Sequence, residues 1–146
     1  DGVMAMLCHS VVNVSWFAAL DTVFSLGDKA TRTFFLRGGE LDYITSDGTP
    51  LDPKLKEGAW ISEATLWTEW RHRGTLHVTT PAQLLWMELQ PFARIVCMNP
   101  RPWHLSRMYA VSFVESLNRI AHQALTDIFW GDDFFTEHQK EDFHTP

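Results

Sequence analysis

With 146 residues, 45% of them hydrophobic and including seven Trp and ten Phe, the chain holds enough apolar material for one fully buried core, which excludes disorder as its overall state. The formal net charge of -6, with Arg71-His72-Arg73 as its one positive cluster, gives no electrostatic reason to expect nucleic acid or an anionic membrane surface as a partner. Cys8 and Cys97 define no disulfide framework and read as reduced, buried thiols in an intracellular, reducing compartment; no run approaches the roughly 18 apolar residues of a membrane span, so a membrane is reached only through a missing flank or a partner.

In chain order, Met4 to His9 reads as one or two helical turns. Val12, Val14 and Trp16 then alternate with Asn13 and Ser15 in the period of a half-buried strand. Asp21 to Ser25 is a short strand, Gly27-Asp28 a turn, and Thr33 to Leu36 a strand ending at Gly38-Gly39. Glu40 to Ile44 alternates polar and apolar residues before a loop of turn formers from Thr45 to Pro53. A short helix is expected from Ser62. Thr75 to Val78 and Gln83 to Leu89 read as strands separated by a Thr79-Thr80-Pro81 turn. Pro91 to Val96 opens a helix that Asn99 to Pro102 breaks, and from Leu105 a stripe of Met108, Ser112, Phe113, Ser116, Leu117, Ile120, Ala121 and Ala124 predicts a longer amphipathic one.

The stretch Ile61 to Leu76 is where chemistry concentrates. A short helix starting near Ser62 presents free N–H groups that favour an anion, and Arg71 and Arg73 add charge nearby. On strand parity those two arginines point away from the side that His72 faces, unless a bulge swings Arg73 into the pocket. For Glu63 a helix-terminal carboxylate and a ligand group are both open readings, as are, for Thr75, a bond to neighbouring backbone and a place in the site. Trp60, Trp67, Trp70 and Trp86 read as core or interface anchors. No Gly-x-Ser-x-Gly elbow, phosphate-binding Gly-rich loop with Lys or His-Glu-x-x-His is present, and His138, Glu141 and His144 fall in the tail, so neither a catalytic nor a metal residue is assigned.

This stretch resembles the phosphate-binding cassette of cyclic-nucleotide-binding domains, in which a Phe-Gly-Glu turn opens a short helix and a Pro-Arg-x-Ala-Thr-Val strand closes the pocket. Laid against it without a gap, Ser62 stands in the place of the cassette glycine, Glu63 of the ribose-binding glutamate, Thr75 of the threonine and His72 of the phosphate-binding arginine. Gly27-Asp28, Phe34-Phe35-Leu36, Gly39-Glu40-Leu41 and Lys56 to Trp60, with Ala59 in place of an aspartate, extend the resemblance over about Val12 to Ile120. It implies an α+β fold: an antiparallel, jelly-roll-like β-roll of about eight strands flanked by N-terminal and C-terminal helices. The implied domain covers residues 1–130, with the roll over about 10–90 and the C-terminal helices over about 91–130, followed by an acidic tail at 131–146.

The resemblance further implies a ligand site of Ser62, Glu63, Ala64, His72, Arg73, Gly74 and Thr75, with cyclic AMP or cyclic GMP as the one cofactor class left open. Ser62, His72 and Ala59 depart from the pattern. A neutral histidine lacks a guanidinium's paired donors, and losing such a charged contact costs about 2–5 kcal/mol. The reading is therefore a non-enzymatic, degenerate member, similar to the regulatory domains of kinases and ion channels. It acts as a regulatory or protein-interaction module with weak or no nucleotide binding, its protein partners met through a Trp-rich surface and the C-terminal helix. The alternatives are a working sensor of a kinase- or channel-like protein, closed by the Leu105–Ala124 helix, and an accessory structural subunit. In channel relatives a tail segment fills the pocket as an intrinsic ligand; here Phe134, Phe135 or an acid within Asp132 to Asp142 is the expected occupant.

Overall fold

The structure, a computed structural model, describes Gly2, Ala5 and residues 9–129. The expected turn at Met4 to His9 therefore lies largely outside the described residues, of which Gly2, Ala5, His9 and Ser10 are helical. The 131–146 tail, with the histidines and phenylalanines singled out there, lies outside them altogether.

Five antiparallel strands are described: β1 (Asn13–Phe17), β2 (Thr22–Phe24), β3 (Arg32–Thr45), β4 (Trp60–Ile61) and β5 (Gly74–Glu88). The sheet order is β1-β5-β3-β4, with β2 also paired to β5. Two helices follow, α1 (Leu89–Cys97) and α2 (Pro100–Leu117), and a 3-10 turn at Glu63–Leu66 sits between β4 and β5.

Two predicted breaks are bends within strands, which accounts for two of the strands missing from the about eight expected; five are described. At Gly38 to Leu41 the register of β3 against β5 shifts, and the inward residues change from Phe34 and Leu36 to Leu41 and Tyr43, an odd step. Those of β5 stay on even positions through the bend, at Leu76, Val78, Ala82 and Leu84. An extra residue on one strand does this, and it curls the ladder so that both halves of each long strand face one core. Pro81 is tolerated inside β5 because it stands at the bend, where no β3 residue is paired with it.

β1 presents the opposite face from that predicted: Trp16 is 74% exposed and Val14 is exposed, whereas Ser15 and Phe17 are half-buried. Period two gives alternation but not which phase faces the core. Cys97, expected to be buried, is exposed at the end of α1. α2 starts at Pro100 rather than Leu105, since proline is tolerated in a helix's first turn, and it ends at Leu117, so Ile120, Ala121 and Ala124 lie beyond it. Its buried side carries Phe113, Ser116 and Leu117, whereas Met108 is exposed.

Gly39 is what lets the strands cross so closely. Its φ is +91°, and a Cβ there would stand 2.5 Å from the Pro81 carbonyl oxygen and 2.7 Å from Ala82 Cα. Gly39→Ala is expected to lower stability by about 3 kcal/mol in urea denaturation, combining left-handed strain with backbone overlap. Gly27→Ala, at φ +87° but with open space around it, should lose only about 1 kcal/mol. Equal losses at the two positions would show that the close approach is not the governing term.

Candidate functional site

Ser62 begins the cassette in the left-handed conformation, with φ 60° and ψ 36°. Glycine adopts this backbone freely, and a side chain there costs roughly 1–2 kcal/mol. The compensation comes from a residue far along the chain. Ser62 N–H donates to the Asp127 carbonyl at 2.7 Å, and Ser62 Oγ lies 3.3 Å from Asp127 Oδ1 and 3.3 Å from His72 Nδ1.

Asp127 is fully buried, and its carboxylate stands among donors from across the roll. Trp70 Nε1 donates to Oδ1 at 2.8 Å and His72 Nδ1 stands 3.0 Å from the same oxygen. Tyr43 Oη and the Arg73 backbone N–H each donate to Oδ2 at 2.7 Å, while Asp127 N–H donates to Tyr43 Oη at 2.9 Å. With Ser62 Oγ included, three of these contacts fall on Oδ1 and two on Oδ2. Burial, then the adjacent Asp127 carboxylate, holds the Tyr43 phenol well above its ordinary pKa, so Tyr43 remains a donor.

The residues around Asp127 seat it in the fold. Ile128 forms an antiparallel bridge to Ile61, continuing the sheet beyond β4, and enters the β-roll core. Phe129 packs edge-on against Trp70 and Phe113. Thr126 Oγ1 donates to the Ile128 carbonyl and accepts from Ile128 N–H, fixing the local turn. Leu125 to Phe129 therefore forms a strap laid into the cassette, with apolar residues on both sides of one acid.

Each sequence-predicted site residue can now be placed. Ser62 and His72 meet at Asp127, and His72 also stacks on Phe24 at 3.6 Å between ring centroids. Arg73 contributes its backbone N–H, but its guanidinium turns to the His122 carbonyl, 3.0 Å away, leaving a buried Nε without a hydrogen-bond partner among the described residues. Gly74 is needed for close packing, since a Cβ there would overlap the Tyr43 ring. Ala64 is buried under Phe113 and Leu117. Thr75 stands apart from Asp127: its hydroxyl accepts Leu26 N–H at 3.1 Å and so pins the loop after β2. Arg71 is exposed and donates to the Gly27 carbonyl.

Glu63 is buried and held by two donors, Tyr109 Oη at 2.5 Å and Trp67 Nε1 at 3.2 Å. Burial raises its pKa, and the two hydrogen bonds offset this in part. Tyr109 is pushed up by burial and by Glu63 in turn. The bond ties α2 to the cassette turn, so Glu63 serves as a helix anchor. Among the described residues, no group of three or more His, Cys, Asp or Glu is placed to hold a metal ion, and no helix is long and apolar enough to cross a membrane.

Asp127 and Tyr43 escape sequence reasoning. The only local sign is an acid set among Leu125, Ile128 and Phe129, apolar neighbours that promise burial.

No family model and no curated protein matches the sequence. Among solved structures, the chain is similar to the N-terminal domain of a transcriptional regulator from Streptomyces coelicolor A3(2), at 21% identity and TM-score 0.65, covering 84% of this chain and 87% of that one. It is similar to a cyclic nucleotide-binding-like protein from Brucella abortus, at 14% identity and TM-score 0.58, covering 64% and 82%. It is also similar to the C-linker/CNBHD of zELK channels crystallised in the presence of cAMP, at 17% identity and TM-score 0.66, covering 88% of this chain and 60% of that one. At these identities the likeness is one of fold: the chain has the α+β fold of cyclic-nucleotide-binding-like domains.

Two measurements separate the two buried carboxylates. Asp127→Ala leaves several donors buried and unpaired, and should lower stability by about 3–5 kcal/mol. An effect below 1 kcal/mol would mean that the strap does not hold the roll. For Glu63, the raised folded pKa means that its protonated form stabilises the fold fully below the unfolded value of about 4.3, and that this contribution is lost as pH rises through the folded value. Glu63→Gln lacks this titration. Its urea midpoint relative to the native chain should therefore be higher at pH 7 than at pH 4; parallel profiles would refute the assignment.

Proposed function

We propose that this domain is a non-catalytic regulatory and protein-interaction module whose nucleotide cassette is filled by its own chain. The observation that carries the reading is the Asp127 carboxylate, fully buried among Ser62, Trp70, Tyr43, His72 and the Arg73 amide. An anion with two oxygens, supplied in cis, takes the donors that a cyclic phosphate would need. Glu63, the candidate ribose ligand, is likewise occupied by Tyr109 and Trp67.

The fold likeness supports the regulatory reading, and the departures at Ser62 and His72 favour a self-filled pocket over a vacant one. Serine in a left-handed position is stabilised by the strap, and histidine meets a carboxylate where an arginine would meet a phosphate. Protein partners meet the domain through its exposed tryptophans, Trp16 and Trp103, and the outward side of α2, where Leu105, Met108 and Val111 are also exposed.

Calorimetric titration tests the reading. The native chain should give no binding heat with cyclic AMP or cyclic GMP up to the millimolar range, whereas a variant with Asp127→Ala, if it remains folded by circular dichroism, should gain measurable affinity. Low-micromolar binding by the native chain, abolished by Glu63→Ala, would instead establish the working sensor.

A further inference from the structure

Beside the cassette turn lies a cleft of about 570 Å³ bounded by the loop before β3, the residues after the 3-10 turn and the start of α1. Its size is that of small-molecule sites, which run about 300–1,000 Å³. Thr65 lines it, and the Thr65 hydroxyl is buried with no hydrogen-bond partner among the described residues. Buried hydroxyls are rarely left unpaired, so this group calls for a partner from the cleft. Thr31, Thr68 and Gln90 add side chains that both donate and accept, and Trp70 contributes its indole. Glu88 gives α1 no side-chain cap, so the first-turn amide of Gln90 adds a donor without a capping partner.

Charge decides the class of ligand. Lys29 faces the cleft together with Glu69 and Glu88, and Glu88 is paired to Arg32 at 3.3 Å. A compact anion would meet the two carboxylates, and a compact cation would meet Lys29. A neutral molecule rich in hydroxyls meets no like charge and matches the mixed donors and acceptors, while an indole offers its carbon skeleton an apolar wall.

The geometry points to a binding site here for a small neutral polyhydroxy compound, of the monosaccharide or cyclitol class. Trp70 is the one described residue that both lines the cleft and bonds Asp127, through its Nε1–H. A ligand in the cleft therefore presses on the strap through Trp70. That coupling rests on the self-filled reading of the cassette, while the binding itself does not.

The test is an NMR titration of the full chain, labelled with nitrogen-15, with D-glucose and with myo-inositol into the millimolar range. Saturable shifts of the Thr65 amide and the Trp70 indole N–H are expected. Thr65→Val keeps the shape and removes the hydroxyl; it should stay folded with undiminished stability and bind about 3- to 10-fold more weakly. No saturable response to either compound, or an unchanged affinity in Thr65→Val, overturns the site. A stronger response to inorganic phosphate or L-glutamate overturns the neutral class. Saturation at Thr65 without any shift at Trp70 keeps the site and removes its link to the strap, separating this inference from the reading of the cassette.

Discussion

One buried carboxylate organises this molecule. Asp127 collects donors from near the C-terminal end of β3, from the cassette turn, from the loop after it and from the residues leading into β5. A carboxylate is stable inside a protein only where such donors replace the water it has lost. The converse also holds, because Tyr43, Trp70 and His72 are themselves largely buried and need an acceptor. Neither side of the arrangement is satisfied without the other. The strap must therefore return to the roll, and α2 spans the distance that brings it back.

The second buried carboxylate works to the same end from the other side. Glu63 receives Tyr109, which anchors α2 against the cassette turn, while Phe113 and Leu117 pack on Ala64. The helix that would serve as a movable lid over a base is thus tied at Tyr109, and the chain beyond it is tied at Asp127 and Ile128. Burial of an isoleucine side chain adds about 1.5–3 kcal/mol to that hold. Glu63 and His72, the groups expected to face a ligand's sugar and phosphate, have their partners, Tyr109 and Asp127, within the chain.

How much of this could be read from sequence follows the range of the interactions. The apolar residues of β3 and β5, the cassette turn and the parity that points His72 inward while Arg71 and Arg73 turn outward are all local patterns. Gly38-Gly39 and Thr79 to Pro81 read as breaks because glycine and proline signal a bend without saying whether pairing continues across it, and the pairing here is decided by a partner strand some forty residues away. The inverted face of β1 has the same origin: alternation is local, while its phase depends on β5. Asp127 is the extreme case. Its partners lie 54 to 84 positions earlier, and nothing adjacent to it in the chain encodes them. The expectation of Phe134, Phe135 or an acid within Asp132 to Asp142 as occupant concerns residues outside those described. The acid seen in the cassette lies upstream.

On the proposed reading of the cassette as self-filled, an internal ligand changes what affinity means for the pocket. Because the strap is joined to α2, Asp127 faces its donors at the effective concentration of a short tether, which is of millimolar order or higher, and it adds the burial of Ile128 and Phe129 to its own hydrogen bonds. An outside anion must bind the open state and also repay the strap's release, so its apparent dissociation constant rises in inverse proportion to the fraction of open molecules. If the closed form is favoured by about 3 kcal/mol, a pocket of micromolar intrinsic affinity responds only near the 0.1 to 1 mM range. The same arithmetic gives control to whatever shifts the strap. A contact that favours release by about 1.4 kcal/mol raises the open fraction tenfold without touching the cassette. Residues that hold Asp127 and also reach surfaces beyond it, Trp70 above all, are therefore the natural places for regulation to act.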